Sequence, residues 1–355
     1  NFLSDAVFLK NLKVRAGYGV TGNQESLSPY QSLASLGPFF GGTQNGFFGE
    51  PGNGRWILPY GPTINPNPQL QWETKKEVNA GIDFTLFESG WLSGSVDYYN
   101  RRIEDLVGNY AGQMPSQIHP NIFANAGLME NKGLEIMLDA RIVNNENFKW
   151  GATLTTAYNK NEIISVTSDQ FKGTAHDVTR LTEGTTIQRL APGQPVAVFY
   201  GRVFAGFTDD GQWLFRDSEG EAVEASEIGE DDFAYLGNSI PKYNLGLTNN
   251  FTIGKFDVSL LIRSALGFNS VNGKRVFHEN LTYFGRNNLF TSAISDGIQA
   301  EPTFSSYYLE KGDFLKVDNL TIGYTLPIRK NNYLQNIRVY FTGANLITFS
   351  GFSGT

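Results

Sequence analysis

Few residues in this chain combine type and spacing in a way that could do chemistry. Gly17, Gly19 and Gly22 spell G-x-G-x-x-G after an alternating stretch, a pattern that cradles a pyrophosphate when a strand feeds a helix N-terminus. The required helix is missing, because Asn23 to Pro29 has no helical period, so the segment reads as a strand end entering a turn. His119, His176 and His278 are metal-ligand types, yet none has a second histidine or a carboxylate at ligand spacing. The acidic run Asp217 to Asp232 offers oxygen ligands of the kind Ca²⁺ takes, but it lacks the D-x-[DN]-x-[DN]-G order of an EF-hand loop. Its simpler reading is a solvated loop. With no nucleophile elbow, no Ser/His/Asp order and no supported carboxylate pair, the chain is expected to be neither an enzyme nor a cofactor or metal binder.

Two other sets of residues suggest binding and transport. Trp56, Tyr60, Tyr110 and Trp213 lie in long polar stretches, where their faces suit stacking on an apolar sugar or peptide surface, with loop packing as the alternative. Asp83, Asp97, Glu135, Asp139 and Arg263, together with Lys13, Arg15, Arg141, Lys149, Asp257 and Arg338, all fall on the parity opposite to the apolar residues of their segments. A water-filled lumen explains such a charged face. So does the solvated side of a soluble sheet, which alternation by itself leaves open.

The elements that carry these residues are long alternating strands. Val78 to Arg101 shows the unit: Val78, Ala80, Ile82, Phe84 and Leu86 alternate with polar residues, Glu88 to Gly90 turn the chain, and Leu92, Gly94, Val96 and Tyr98 return it. Each arm is about ten residues, the length of a tilted transmembrane strand rather than of a soluble one. Comparable strands are read at Leu12 to Val20, Leu134 to Ile142, Phe148 to Tyr158, Tyr243 to Phe251, Phe256 to Ile262, Leu315 to Tyr324 and from Ile337, with a bulge at Asp318-Asn319 where the faces exchange. Ala80, Ile82, Phe84, Leu92, Val96, Leu134, Ile136, Leu138, Leu247, Leu260 and Ile262 are expected to face lipid, and Asp83, Asp97, Glu135, Asp139 and Arg263 the lumen. Trp91, Trp150, Tyr158 and Tyr324, near strand ends, suit the bilayer interfaces.

Connections alternate between long and short. The stretches 21–75, 102–131, 160–242 and 267–312 are long; Glu88 to Gly90, Asn144 to Asn147, Gly254-Lys255 and Pro327 to Asn336 are turns. A hairpin inside the third stretch, on VFYGRVFAGF and QWLF, is placed in the loop by strand parity. Soluble sandwiches have no reason to gather every long loop at one end, whereas outer-membrane barrels have short periplasmic turns and long extracellular loops. The expected fold is therefore all-β, an antiparallel transmembrane β-barrel. A surface-exposed adhesin-like β-protein is the alternative.

Composition agrees. Charged residues are 18% and aromatic residues 14% of the 355, and mean hydropathy is -0.27 with no apolar run of helical membrane-span length. That excludes a helical membrane protein and leaves a barrel open, since alternation averages to mild polarity. The net charge of -7 argues against nucleic acid as a partner. With no cysteine, there is no disulfide framework or thiolate site.

Seven segments taken in order resemble the SusC/RagA family of TonB-dependent outer-membrane transporters of Bacteroidetes. They are LKVRAGYGVTGNQ, NPNPQLQWETKKEVNAGIDFTLF, SVDYYNRRIEDLV, NKGLEI, YLGNSIPKYNLGL, YLEKGDFLKVDNLTIGYTLP and IRVYFTGANLITFSGFSG. The resemblance implies a large barrel with an N-terminal plug, energised through the TonB complex, capped by a SusD-like surface lipoprotein and importing glycans or peptides. Residues 1–355 would be part of a single barrel domain, an incomplete C-terminal portion with the plug and the final strand outside it. The acidic run would repel anionic cargo, so a neutral oligosaccharide or peptide is expected.

Overall fold

Alternation over ten or more residues commits a segment to a sheet with two unlike faces, and nine such segments make the wall of this protein. The structure is a computed structural model describing residues 8–38, 46–48, 52–57, 60–111, 121–166, 176–182, 185–327 and 335–354. The wall strands are β1 (Leu9–Asn23), β2 (Glu73–Leu86), β3 (Leu92–Glu104), β4 (Leu128–Asn144), β5 (Phe148–Ser165), β6 (Tyr243–Ile253), β7 (Phe256–Leu266), β8 (Phe314–Thr325) and β9 (Arg338–Ser350). They form one nine-stranded sheet in which each strand pairs antiparallel with its neighbour in this order. The sheet does not close on itself, and β1 and β9 are its edges.

Register carries the two-faced pattern across all the strands, because directly paired residues share a face. Leu12, Phe84, Gly94, Leu138, Leu154, Leu247, Ile262 and Val317 form one row. The next row, one residue along, is Lys13, Asp83, Ser95, Met137, Thr155, Gly246, Arg263 and Lys316. The apolar face carries two aromatic belts. Trp150 stacks on Phe251 at 5.8 Å and Phe256 meets Tyr324 at 4.7 Å toward the tight turns, while Tyr158 meets Tyr243 at 5.3 Å toward the long loops. Trp91 stacks on Phe87 at 5.4 Å beside the first tight turn. From Trp150 to Tyr158 the strand covers about 26 Å at about 3.3 Å per residue. Tilted by about 40°, that is about 20 Å of height, which with the reach of the rings fits an apolar band of about 25 Å.

Nitroxide labels at Ile82 and Asp83 in the bilayer-embedded barrel should therefore differ sharply, with oxygen favouring position 82 and a water-soluble relaxant position 83. Equal accessibility at the two sites would end the two-face assignment.

Several boundaries differ from the sequence expectation. β3 continues to Glu104, β4 begins at Leu128 and β5 runs to Ser165, where alternation had placed loops from Arg102 to Asn131 and from Lys160. In these extensions the rows no longer alternate by face: Arg102, Glu130 and Glu162 form one polar row and Arg101, Asn131 and Asn161 the next, with Ile103, Met129 and Ile163 beyond them. The hydrogen-bond ladder persists where the apolar pattern has already stopped. The expected bulge at Asp318 is present, since Leu261 and Ile262 oppose Asn319 and Val317. A second, unforeseen one lies at Ile142, so Val143 and not Ile142 opposes Trp150. Of the last tight turn, residues 328–334 lie outside the described residues.

The long connections between wall strands, residues 24–72, 105–127, 166–242 and 267–313 (the first to fourth loops below), are not structureless. In the first two, strands 35–38 and 60–64 pair, as do 46–48 with 55–57 and 107–111 with 121–125. Asn67 Nδ2 donates to the Phe123 carbonyl at 2.8 Å, and Asn125 exchanges hydrogen bonds with the Gln71 backbone at 2.8 and 2.9 Å. Asn67 of the NPNP stretch and Asn125 thus tie the first loop to the second.

Candidate functional site

Two regions collect side chains that could meet a solute: the polar face of the wall and the folded long loops. On the wall, the Arg15 guanidinium donates to both oxygens of Asp83 at 2.9 and 2.7 Å and to Asp97 at 3.0 Å. Arg15 reaches Asp97 over Gly81, where an added Cβ would meet the Asp97 carboxylate. Arg263 forks onto Asp318 at 2.8 and 2.9 Å, a contact that the bulge makes by turning Asp318 to this face. Arg338 Nε donates to Asp257 at 2.8 Å. Asp139 accepts from Thr153 Oγ1 at 2.8 Å.

Four of the five wall residues singled out in the sequence come together. Asp97, Glu135 and Arg263 line one hollow of about 530 Å³ against the polar face, with Met137, Thr155 and Asn244, and Asp83 joins it through Arg15. Asp139 sits apart on the same face. The hollow pairs carboxylates on one flank with a guanidinium on the other, so it offers both signs of charge to whatever fills it.

The four loop aromatics do not converge. Trp56 and Tyr60 are 68% and 65% exposed. Tyr110 is only 8% exposed and packs on Ala124 and Ala126; its hydroxyl donates to the Ala126 carbonyl, and burial pushes the phenol up to about 12. Trp213 is 2% exposed, ringed by Phe204, Phe207, Phe215, Tyr307 and Tyr308 at 4.8 to 5.9 Å, with its indole N–H donating to the Glu301 carbonyl at 2.9 Å. Stacking on a ligand is corrected for both residues, because their faces are occupied by the fold.

Trp213 belongs to a core that sequence reading missed. Trp213 and Phe215 from the third loop join Val276, Ile298 and Tyr308 from the fourth, so the two loops fold onto one another as a cap. Gly211 (φ 79°) allows the seam, since a Cβ there would press on the Gly297 carbonyl. At the cap's edge Glu310 accepts from the Ser353 amide and hydroxyl, both at 2.7 Å, and from Asn272 at 3.0 Å. Burial works to raise this carboxyl, but those donors hold it below the ordinary range. The signal was in the sequence as the density of Phe, Tyr and Trp at 199–215 and 304–308, without a period to say what they packed on.

The other motifs resolve locally. Gly17 to Gly22 lies inside β1 with no helix after it. His278 ends a short helix (273–278), its Nδ1 2.6 Å from the Asn288 carbonyl. His119 lies outside the described residues, and the side chain of His176 does too. In the acidic run, Asp217 and Asp232 accept backbone N–H groups of Glu219, Glu221, Ser218 and Gly229 at 2.8 to 3.0 Å, shaping turns. Among the described residues no group of His, Asp and Glu could hold a metal ion.

Comparison with known proteins completes the picture. The family model for the TonB dependent receptor-like beta-barrel matches residues 5–346. TonB-dependent receptor P3 of Formosa agariphila is 28% identical over 100% of this chain and 36% of its own length. TonB-dependent receptor SusC of Bacteroides thetaiotaomicron is 26% identical over 100% and 36%. Of solved structures, the RagAB peptide transporter superposes with a TM-score of 0.77 at 22% identity, covering 99% of this chain and 38% of that one. The RagAB peptide importer in its open-open state gives 0.79 at 21%, covering 99% and 38%; both are likenesses of fold. The chain spans little more than a third of the length of these relatives. Given the family match over nearly its whole length and the nine-stranded two-faced wall, the chain belongs to the TonB-dependent receptor-like β-barrel family of the outer membrane and within it resembles SusC and RagA.

Proposed function

We propose that this chain is the C-terminal barrel portion of an outer-membrane importer of glycans or peptides, with its polar face lining the lumen and its apolar face in lipid. The observation that carries the reading is the asymmetry of the sheet: the four long connections leave one end and the four short ones the other, and the hollow lies against the charged face. Peptide cargo draws support from the RagAB importer, whose fold this chain shares. On this reading residues 1–355 are part of one barrel domain, and the plug that contacts TonB belongs to the rest of the protein. A SusD-like lipoprotein covers the rim, and the four long loops are extracellular. Exposed Trp56 and Tyr60 are the rings left to meet cargo there.

Protease added to intact cells should cut within residues 166–242 or 267–313 and spare Asn145, which lies in a tight turn. Cleavage at Asn145 from outside would reverse the orientation. Uptake of labelled cargo should stop when TonB is deleted; uptake that continues without TonB would rule out gated import.

A further inference from the structure

The cap holds a second hollow, of about 490 Å³, lined by Arg189, Arg202, Tyr200, Phe233, Glu230 and Phe304 among others. Arg202 is set at the seam of the two loops, where its carbonyl accepts from the Ser306 amide at 3.0 Å and its backbone bridges Ser305. Its guanidinium lies 4.8 Å from the Phe233 ring centre and 5.8 Å from that of Phe215. Its Nε is buried with no hydrogen-bond partner among the described residues, and no carboxylate stands at ion-pair distance from it in that set. Burial alone holds its pKa below the ordinary value. Across the hollow, Arg189 lies over the Tyr200 ring at 3.8 Å.

A half-buried guanidinium with an enclosed Nε whose hydrogen bond is unmade is costly to keep. A planar anion in the hollow, met by a turn of the side chain that brings the enclosed Nε edge into the opening, would satisfy it with two parallel hydrogen bonds. We propose that this hollow binds the terminal carboxylate of a peptide cargo, a reading that rests on the import function above. The anion must carry little further charge. Glu230 lines the same hollow, and the acidic run continues from it through Asp231, so a polyanion would meet repulsion where a single carboxylate would not. Sugar stacking is disfavoured, because the rings are already engaged: Tyr200 by Arg189, Phe233 and Tyr235, and Phe304 by Phe199. The expectation that the acidic run selects neutral cargo is thereby narrowed to an otherwise neutral chain that ends in one carboxylate.

The test uses the purified full-length receptor and calorimetric titration with short alanine-rich peptides, free acid against C-terminal amide, alongside a uronate-ended disaccharide and its methyl ester. The free acid should bind at least about tenfold more tightly than the amide. The substitution Arg202→Met should bring the two within a factor of about two while the affinity for the amide and the thermal unfolding of the receptor stay unchanged. Equal affinities in the unaltered receptor, absence of saturable binding of the acid, or discrimination that survives Arg202→Met would each overturn the proposal, and the first two comparisons need no variant. Discrimination within the uronate pair alone would overturn the peptide assignment. Failure of TonB-dependent uptake with acid-over-amide binding intact would count against import and leave this site standing.

Discussion

Replacing Leu154 by arginine should lower the stability of the full-length barrel by about 2 to 4 kcal/mol, the cost of a cation on a lipid face at mid-bilayer depth. Leu154 is four residues from Trp150 and four from Tyr158 along β5, so it lies midway between the two aromatic belts, in a row with Leu138, Leu247 and Ile262. Ile136 is two rows nearer the Tyr158 belt, level with Thr156, and an arginine there should cost less because its head can reach the interface. Thr155, the next residue, faces the hollow shared by Asp97 and Glu135, and an arginine there meets water and carboxylates. Equilibrium unfolding by guanidinium chloride in vesicles measures all three. If Leu154→Arg and Thr155→Arg cost the same, the apolar face does not meet lipid.

The substitution Trp213→Ala should destabilise the cap by about 3 to 5 kcal/mol, the range for emptying a buried large aromatic site. Five aromatic rings lose their partner, and the Glu301 carbonyl loses its donor. The wall makes its own ladders from strand to strand, so the damage should stay in the cap. Residues 166–242 and 267–313 should become far more open to limited proteolysis, while the unboiled barrel keeps the electrophoretic mobility of its folded form. A surface stacking role would show the reverse, with unchanged proteolysis and an affinity loss of about 0.5 to 1.5 kcal/mol. Unaltered protease resistance would mean that the cap core is not held by this ring.

How far the fold could be read from sequence depended on what each segment is buried against. In the proposed membrane setting one face meets hydrocarbon and the other water, which requires the alternation of Ile82 and Asp83 that makes the strand visible. Beyond it, on the same reading, both faces are wet. Lys160 and Glu162 on one face and Asn159 and Asn161 on the other carry no pattern, yet the ladder continues to Ser165 because backbone pairing needs no periodic side chains. The bulge at Asp318 announced itself by a change of face. At Ile142 the bulged residue and its successor Val143 are both apolar, so no change of face shows, and only the register reveals it.

The chain by itself determined nine amphipathic strands, their faces, their order through alternating long and short connections, and the charges that line one side, because each of these is written in local spacing. Tertiary structure alone decided which of those charges meet: Arg15 with Asp83 and Asp97, Arg263 with Asp318, and Asp97, Glu135 and Arg263 around one hollow. It also decided that Trp213 and Tyr110 are core while Trp56 and Tyr60 are surface, and that the Nε of half-buried Arg202 is enclosed without a partner among the described residues. Pairings across 55 to 82 residues and packing between two loops leave no period in the sequence. They depend on which segments the strand ladders bring side by side.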